Sequence, residues 1–298
     1  VVGGEELDPP EFGTVLITIK PKNGDYVSDF DKQLILADLK NYSLAGINQK
    51  ILDLKLLYVE LDSFVYFDAS KVSNVNALKT RIIEGLTTYS KSTDVNKFGG
   101  RFKYSKALNI IDDIDNAITS NITRVKIRRN LRAVLNSFAQ YELCFGNQFR
   151  INQEGKNIKS TGFTIEGENE IVYITDIPNK DNNGNLDGSG LGVISIVRED
   201  SLRNTVVVVK SAGTVDYIHG EIILTTVNIT STVKENNVIE IQAFPDSNDV
   251  VGLKDLYLDF SISNTTINMV KDTITSGEQI SGVGFKVTSS YSNGELTR

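Results

Sequence analysis

Apolar and polar residues alternate with a period of two in parts of the first half of the chain, which is typical of β-strands. "TVLITIK" (14–20) is one such run and Pro21 ends it, while "LKLLYVELDSFVYF" (54–67) is longer and contains neither Gly nor Pro. Glu60 and Asp62 fall on one side of the longer run. Its other side is apolar and comprises Leu57, Val59, Leu61, Val65 and Phe67. We predict a strand at each run.

The period changes to that of an α-helix between and after these runs. Ser28 opens "SDFD", a capping pattern that predicts a helix to about Asn41. From Ser73 onward, helical spacing produces an apolar stripe of Val75, Leu78, Ile82, Leu86 and Tyr89. After the glycine turn "KFGGRF" (97–102), Ser105 is predicted to cap a shorter helix. The apolar face of that helix would comprise Ala107, Ile111, Ile114 and Ile118.

The second half carries short β-type runs separated by clusters of Gly, Asn, Asp and Ser, and no long amphipathic helix. The runs are "NEIVYITDI", "LGVISIV", "NTVVVVK", "GEIILTTVNI", "NVIEIQAF" and "DLYLDFSIS". This texture favours an antiparallel sandwich-like β domain. We therefore predict an α+β protein in which a mixed α/β layer domain (1–135) precedes a larger antiparallel all-β domain (136–298).

Composition narrows the possible functions. The chain has 298 residues, with 31 Lys and Arg against 38 Asp and Glu, and the net charge of −7 argues against nucleic acid as a partner. No apolar run approaches the roughly 18 residues of a membrane span. One histidine and one cysteine are too few for a structural zinc site. We expect no cofactor. The only methionine is Met269, so we expect that a further segment precedes Val1.

Two charged stretches are the strongest candidates for chemistry. In "IIDDIDN" (110–116), Asp112 and Asp115 would lie near each other on a helix, as an acid/base pair or an oxygen-ligand metal site requires. The sequence shows no partner base or nucleophile, so we interpret these aspartates as a solvated or ion-paired face. In "TRVKIRR" (123–129), a predicted strand, one face comprises Arg124, Lys126 and Arg128. No aromatics are interleaved there for base stacking, so we expect salt bridges to other elements or subunits.

Three further motifs favour plain structural roles. "DNNGNLDGSG" (181–190) has calcium-loop spacing, but it has Leu186 at the sixth position and Gly192 at the twelfth, so a polar hairpin loop is predicted. "GSGLG" and "SGVGF" lack the spacing of a phosphate-binding loop. His219 precedes Gly220 at a predicted hairpin turn, and Cys144 is expected to be a small buried residue in a β run.

Several stretches resemble the C-terminal half of the baseplate wedge family of T-even-type contractile phages. These are "VVGGEELDPPEFGTVLITIKP", "FKYSKALNIIDDIDNAITSNITRVKIRR", "GTVDYIHGEIIL" and "DTITSGEQISG". The central α/β part is also similar to the wider baseplate J family. The resemblance covers nearly the whole chain, and its middle block is the most specific part.

The resemblance implies a structural subunit without catalytic residues. It implies a homodimer, contacts to other baseplate wedge proteins, and a ring around the central hub whose change of shape permits sheath contraction. The location would be the virion tail baseplate, assembled in the host cytoplasm. Within this reading, the candidate interface residues are Arg124, Lys126, Arg128, Asp112 and Asp115.

Two other functions stay open at this point. One is a carbohydrate- or cell-surface-binding β module on an α/β support, which the absence of tryptophan does not favour. The other is an oxygen-ligand metal hydrolase that uses Asp112 and Asp115.

Overall fold

A computed structural model describes residues 1–6, 9–22, 27–42, 46–200, 202, 204–273, 291–292 and 295–296. The helices are α1 (Asp29–Lys40), α2 (Val75–Ser90) and α3 (Tyr104–Asp112), with 3-10 turns at Gly4–Glu6 and Glu235–Asn237. The strands of the first half are β1 (Val2–Gly3), β2 (Thr14–Thr18), β3 (Asn48–Leu52), β4 (Lys55–Phe67), β5 (Arg101–Phe102) and β6 (Ile118–Arg132). The remaining strands are β7 (Phe138–Cys144), β8 (Lys159–Ser160), β9 (Phe163–Ile165), β10 (Tyr173–Pro178), β11 (Leu191–Glu199), β12 (Thr205–Asp216), β13 (Glu221–Thr232), β14 (Val238–Ala243), β15 (Val250–Val251), β16 (Leu256–Phe260), β17 (Thr266–Lys271), β18 (Tyr291–Ser292) and β19 (Glu295–Leu296).

The first 52 residues contain a small sheet of their own in the order β1-β2-β3. β1 pairs antiparallel with β2, and β2 pairs parallel with β3, so α1 lies in the crossover between them. The Ser28 side chain accepts a hydrogen bond from the Asp31 amide at 3.1 Å, and the helix ends at Lys40. The predicted strand at 14–20 and the predicted capped helix are thereby confirmed.

Most other strands form one twelve-stranded sheet. Its main path runs β16-β4-β6-β14-β8-β10-β11-β12-β13-β7, and β17 pairs with β4 while β9 pairs with β13. β4 and β6 pair antiparallel over ten positions, and β14 continues the sheet on the other edge of β6. The long strand predicted at 54–67 and the strand at 123–129 therefore lie side by side in this sheet.

Helices α2 and α3 cover the apolar face of β4 and β6. The stripe predicted from Val75 is confirmed, since Leu78, Ile82, Leu86 and Tyr89 are buried in α2. In α3, Ala107 and Ile111 are buried as predicted.

The prediction that Ser105 caps α3 was wrong. The helix begins one residue earlier, at Tyr104, and the preceding residue Lys103 makes no side-chain cap. Instead the Asp249 carboxylate accepts the Tyr104 amide at 2.9 Å. A residue far away in sequence thus satisfies an amide that the first turn leaves open, and no local pattern shows this. The helix ends at Asp112, so Ile114 and Ile118 lie beyond it but still pack against the core.

The predicted mixture of helices and sheets is confirmed, but the antiparallel character predicted for residues 136–298 holds only in part. β16 and β17 pair parallel with β4, next to each other along its length.

Strands of both predicted domains share one sheet and one core cluster, which contains, for example, Ile127 and Ile239. Among the described residues, that cluster contains none before Leu57. The boundary at 135/136 stays a prediction. The stretches "DTITSGEQISG" beyond Thr273 and "SGVGF" lie outside the described residues.

In the described part of the chain, the helices are too short or too polar to cross a membrane.

Candidate functional site: the charged face of the central sheet

The face of β4 and β6 that points away from α2 and α3 is lined by charged residues. Val125 and Ile127 are buried on the helix side, so the alternation along β6 places Arg124, Lys126 and Arg128 on the opposite side. The predicted sharing of one face by these three residues therefore agrees with the strand geometry. Their environments along this face nevertheless differ strongly.

Arg128 lies at the centre of a polar network inside the protein. Its Nε donates to Oε1 of Glu60 at 2.5 Å, and one terminal nitrogen donates to Glu240 at 3.3 Å and to Asn130 at 2.5 Å. The guanidinium also lies 4.1 Å from the centre of the Tyr58 ring. These contacts satisfy a charge that would be costly to bury alone. Arg128 therefore ties β6 to β4 and β14 within one chain.

The ion pairs across β4 and β6 follow a diagonal. By strand register, Arg128 lies opposite Tyr58 and Lys126 lies opposite Glu60. Each cation instead pairs with the carboxylate two residues further along β4: Arg128 with Glu60, and Lys126 with Asp62 at 3.8 Å.

For Arg124, the residue at the same two-residue offset on β4 is apolar. The register places it opposite Asp62, and the same offset leads to Phe64. Within the described chain, no ion pair joins Arg124 to a carboxylate. Phe64 lies directly opposite Ile122 in the pairing of β4 with β6, and the two side chains are 41% and 55% exposed. We call Arg124, Phe64 and Ile122 the sheet patch.

The two candidate carboxylates have different hydrogen-bond partners. Asp112 is the last residue of α3, and its Oδ1 accepts from the Asn121 amide group at 2.6 Å. Asp115 accepts from Arg81 at 2.6 Å and from the Ala117 amide at 3.0 Å. These two donors, the Ala117 amide first, lower the pKa of Asp115. In the described part of the chain, no group of three or more His, Cys, Asp or Glu residues could hold a metal ion.

The loop at 181–190 is the connection between β10 and β11, as predicted. Oδ1 of Asp181 accepts the amides of Asn183 and Asn185 at 2.8 and 2.9 Å, and Asp187 accepts the Ser189 amide at 2.9 Å. The aspartates that suggested a calcium loop are thus acceptors of the loop's own backbone amides.

His219 lies in the turn between β12 and β13, as predicted. Gly220 follows with a φ of +68°, and Nδ1 of His219 lies 2.7 Å from Oδ2 of Asp216. That hydrogen bond, with the charge of Asp216, raises the pKa of His219.

Cys144 is half-buried at the end of β7, where burial raises the pKa of its thiol. It pairs in register with Glu221.

The exposed face of α1 was missed by the sequence analysis. None of the α1 residues is buried, and Phe30 and Leu34 are 69% and 52% exposed. Asp31 and Asp38 are exposed on the same helix. We call Phe30, Leu34, Asp31 and Asp38 the helix patch. The spacing of Phe30, Leu34 and Ala37 could have indicated an apolar stripe, but only the packing of α1 shows that this stripe does not face its own sheet.

A buried carboxyl at Asp176 was also missed. Its Oδ1 accepts the Ile158 amide at 2.6 Å, and its Oδ2 accepts the Tyr217 hydroxyl at 2.7 Å. Burial raises the pKa of Asp176, and burial and the nearby carboxylate also raise that of Tyr217. The Asp176 side chain joins β10 to Ile158, which precedes β8, and to Tyr217, which follows β12. We therefore assign it a structural role.

The charged network is paired inside the chain, and exposed apolar side chains lie in the helix patch and the sheet patch. Contiguous exposed apolar surface marks sites where proteins bind one another. Comparison with known proteins finds two family models that match parts of the chain. Residues 1–52 match the family described as "Baseplate structural protein gp6, C-terminal domain I", and residues 55–130 match "Baseplate structural protein gp6, C-terminal domain III". The border between the matches coincides with the two residues that separate β3 from β4.

One relative is the baseplate wedge protein gp6 of Enterobacteria phage T4. It is 25% identical over 166 residues, which are 55% of this chain and 24% of the relative. The chain thus spans about a quarter of the length of that protein. These matches confirm the resemblance to the C-terminal part of gp6-type baseplate wedge proteins, with residues 1–52 and 55–130 matched by the family models. The similarity to the wider baseplate J family stays a prediction. The matched families are described as baseplate structural proteins, and the T4 relative is a baseplate wedge protein.

Proposed function

We propose that this chain self-associates as a homodimer and joins neighbouring wedges into a ring around the hub of the tail baseplate. In this proposal it also takes part in the change of shape that triggers sheath contraction. The role extends the baseplate structural role that the family matches support.

The observation that carries the proposal is the incomplete burial of the first 52 residues. In the described part of this unit, only Leu16 among the apolar residues is buried. Large apolar side chains stay exposed at Phe12, Phe30, Leu34, Tyr42, Ile47 and Leu52. A unit of this size that buries so little apolar surface gains stability when a partner covers it.

The ion pairs within the chain narrow the set of candidate interface residues. Arg128, Lys126 and Asp115 were candidate interface residues, and each has an ion-pair partner within the chain. The candidates with charge directed outward are Arg124 and, at the end of α3, Asp112. An interface at this sheet would therefore centre on Arg124 and its apolar neighbours.

The proposed partners are further copies of the chain and other baseplate wedge proteins, in the virion tail baseplate, with assembly in the host cytoplasm. The T4 relative is a baseplate wedge protein, which supports this choice.

Sedimentation velocity of the purified chain over a wide concentration range tests the proposal. We expect at least a dimer, with association that strengthens as concentration rises. A strict monomer at the highest concentration reached would overturn self-association through this part of the protein.

A further inference from the structure

Strand β12 has no partner strand along most of one edge. It pairs with β11 from Thr205 to Asp216, but within the described chain it pairs with β13 only over its last four residues, 213–216. Residues 205–212, which we call the β12 edge, therefore present backbone amides and carbonyls that no other described strand pairs with. An edge of this kind can accept a further strand.

The edge is open because β12 and β13 separate after Ala212. The register between β11 and β12 shifts twice between Ile194 and Val197, and the extra residues lie in β12. Extra residues bend the strand that contains them. Where the two strands part, the Thr225 hydroxyl donates to the Ala212 carbonyl at 2.8 Å, and from Ile229 onward β13 pairs with β9 instead. The separation is thus built into the register of the sheet.

A cleft of about 380 Å³ lies where the strands separate. Its apolar lining comprises Phe138, Ile165, Ile196, Val209, Ala212 and Val227. Phe138 is 67% exposed. An apolar side chain that projects from an added strand into this cleft would be removed from water there, which favours binding.

The sequence of the β12 edge suits an extended partner. Residues 206–209 are four consecutive valines, and branched side chains favour the extended backbone. Val208 and Val209 pack against the core, while Val207 is 50% exposed. The edge is therefore already extended and held in place, so little conformational freedom of this chain is lost on binding.

One cation on the β12 edge lacks an ion-pair partner. Lys210 is exposed, and among the described residues no carboxylate pairs with its ammonium. Glu166, the carboxylate that lines the cleft, accepts from the Asn228 side-chain amide at 2.8 Å. A carboxylate on an added strand therefore has Lys210 available as its partner.

We propose that the β12 edge binds an extended segment of a different protein, which adds to the sheet as a further strand. The segment alternates apolar with polar residues, places an apolar side chain in the cleft and carries a carboxylate near Lys210. Main-chain hydrogen bonds supply the affinity, while the cleft and Lys210 supply the specificity. This contact is separate from the proposed self-association and does not depend on it.

Binding of synthetic peptides by the purified chain tests the inference. The probe is a peptide of about eight residues, the length of the β12 edge, in which valine and threonine alternate and one central threonine is replaced by glutamate. One control peptide has lysine in place of that glutamate. A second control has proline at a central valine position, which removes an amide that an added strand donates. Fluorescence anisotropy of labelled peptides measures affinity, and amide hydrogen exchange followed by NMR locates the contact.

We expect the glutamate peptide to bind and to slow exchange at those β12-edge amides that do not donate to β11. The lysine peptide should bind at least about tenfold more weakly, and the proline peptide should show no measurable binding. Lys210→Glu should reverse the order of the glutamate and lysine peptides. Lys91→Glu, at an exposed lysine directly after α2, is the matched control and should leave the affinities unchanged. Circular dichroism of both variants verifies that the fold is retained.

Several results would overturn the inference. One is a wild-type chain that binds none of the peptides, or that binds the proline peptide as well as the glutamate peptide. Another is slowed exchange that leaves the β12 edge unaffected. An unchanged order of the peptides in Lys210→Glu would remove the carboxylate contact.

Exchange in the chain without peptide separates the other possible occupants. Protection of the free β12-edge amides that does not depend on concentration would show that another part of this chain covers the edge. Protection that grows with concentration would show that a second copy covers it. Either result is contrary to a different protein as the occupant, whereas rapid exchange at every concentration supports the inference.

Discussion

Nε of Arg128 donates to Oε1 of Glu60 at 2.5 Å, and only 7% of each side chain is exposed. The pair links the two long strands of the central sheet, and Gln242 on β14 donates to the second oxygen of Glu60 at 2.9 Å. Both charges keep partners after leaving water, so removing either one would leave the other buried and uncompensated.

Arg128→Ala should lower the free energy of unfolding by about 3–5 kcal/mol, because Glu60 would remain as a buried charge without its main partner. Urea denaturation followed by circular dichroism measures the loss. Lys126→Ala is the matched control on the same strand face. Its pair with Asp62 is longer and more exposed, so it should cost less than about 1 kcal/mol. Equal losses in the two variants would contradict the assignment.

Gly220→Ala should be much more costly than Gly184→Ala. Both glycines have positive φ, +68° and +81°, so both substitutions impose about 1 kcal/mol of backbone strain. At Gly220 an added Cβ would also overlap the backbone of Asn147, whereas at Gly184 it would meet open space. We expect Gly220→Ala to lose at least about 2 kcal/mol more in urea denaturation. Similar losses would show that the turn relaxes freely.

Asp176→Asn should change how stability depends on pH. Burial raises the pKa of Asp176 in the folded protein, so between its ordinary and raised values the folded state holds a proton that the unfolded state has released. The wild type therefore loses stability as pH rises through this window, and the asparagine variant lacks this loss.

Urea denaturation at a series of pH values from about 4 to 8 measures the difference between the two proteins. The stability of the variant relative to the wild type should rise with pH. A difference that stays constant over the series would rule out this role for Asp176.

His219 should titrate above the ordinary pKa of histidine. The hydrogen bond to Asp216 and the charge of that carboxylate favour the imidazolium. The stabilisation from this pair is complete below the ordinary histidine pKa and is lost as pH rises through the raised value. His219 is the only histidine, so its proton NMR signals can be assigned directly.

Asp216→Asn should return the pKa of His219 toward its ordinary value. Glu221→Gln is the control, because Glu221 contributes the smallest of the effects on His219 and should lower its pKa only slightly. An unchanged titration in Asp216→Asn would show that the hydrogen bond does not persist in solution.

Local patterns in the sequence predicted much of the secondary structure. The strands at 14–20 and 54–67, the capped helix α1 and the apolar stripe of α2 all follow from interactions between residues close together in the chain. The same alternation predicted that Arg124, Lys126 and Arg128 share one face. It could not show which of them is buried.

The sequence by itself determined the periods of two and 3.6, the turn at His219 and Gly220, and the charges available to the molecule, because these depend on neighbouring residues. Only the tertiary structure decided that β16 and β17 return parallel to β4, since this pairing joins positions about 200 residues apart. It also decided that Asp249 completes the start of α3 and that Arg128 is enclosed while Arg124 stays exposed. The register between strands set those outcomes, and register depends on how the whole sheet buries its apolar face.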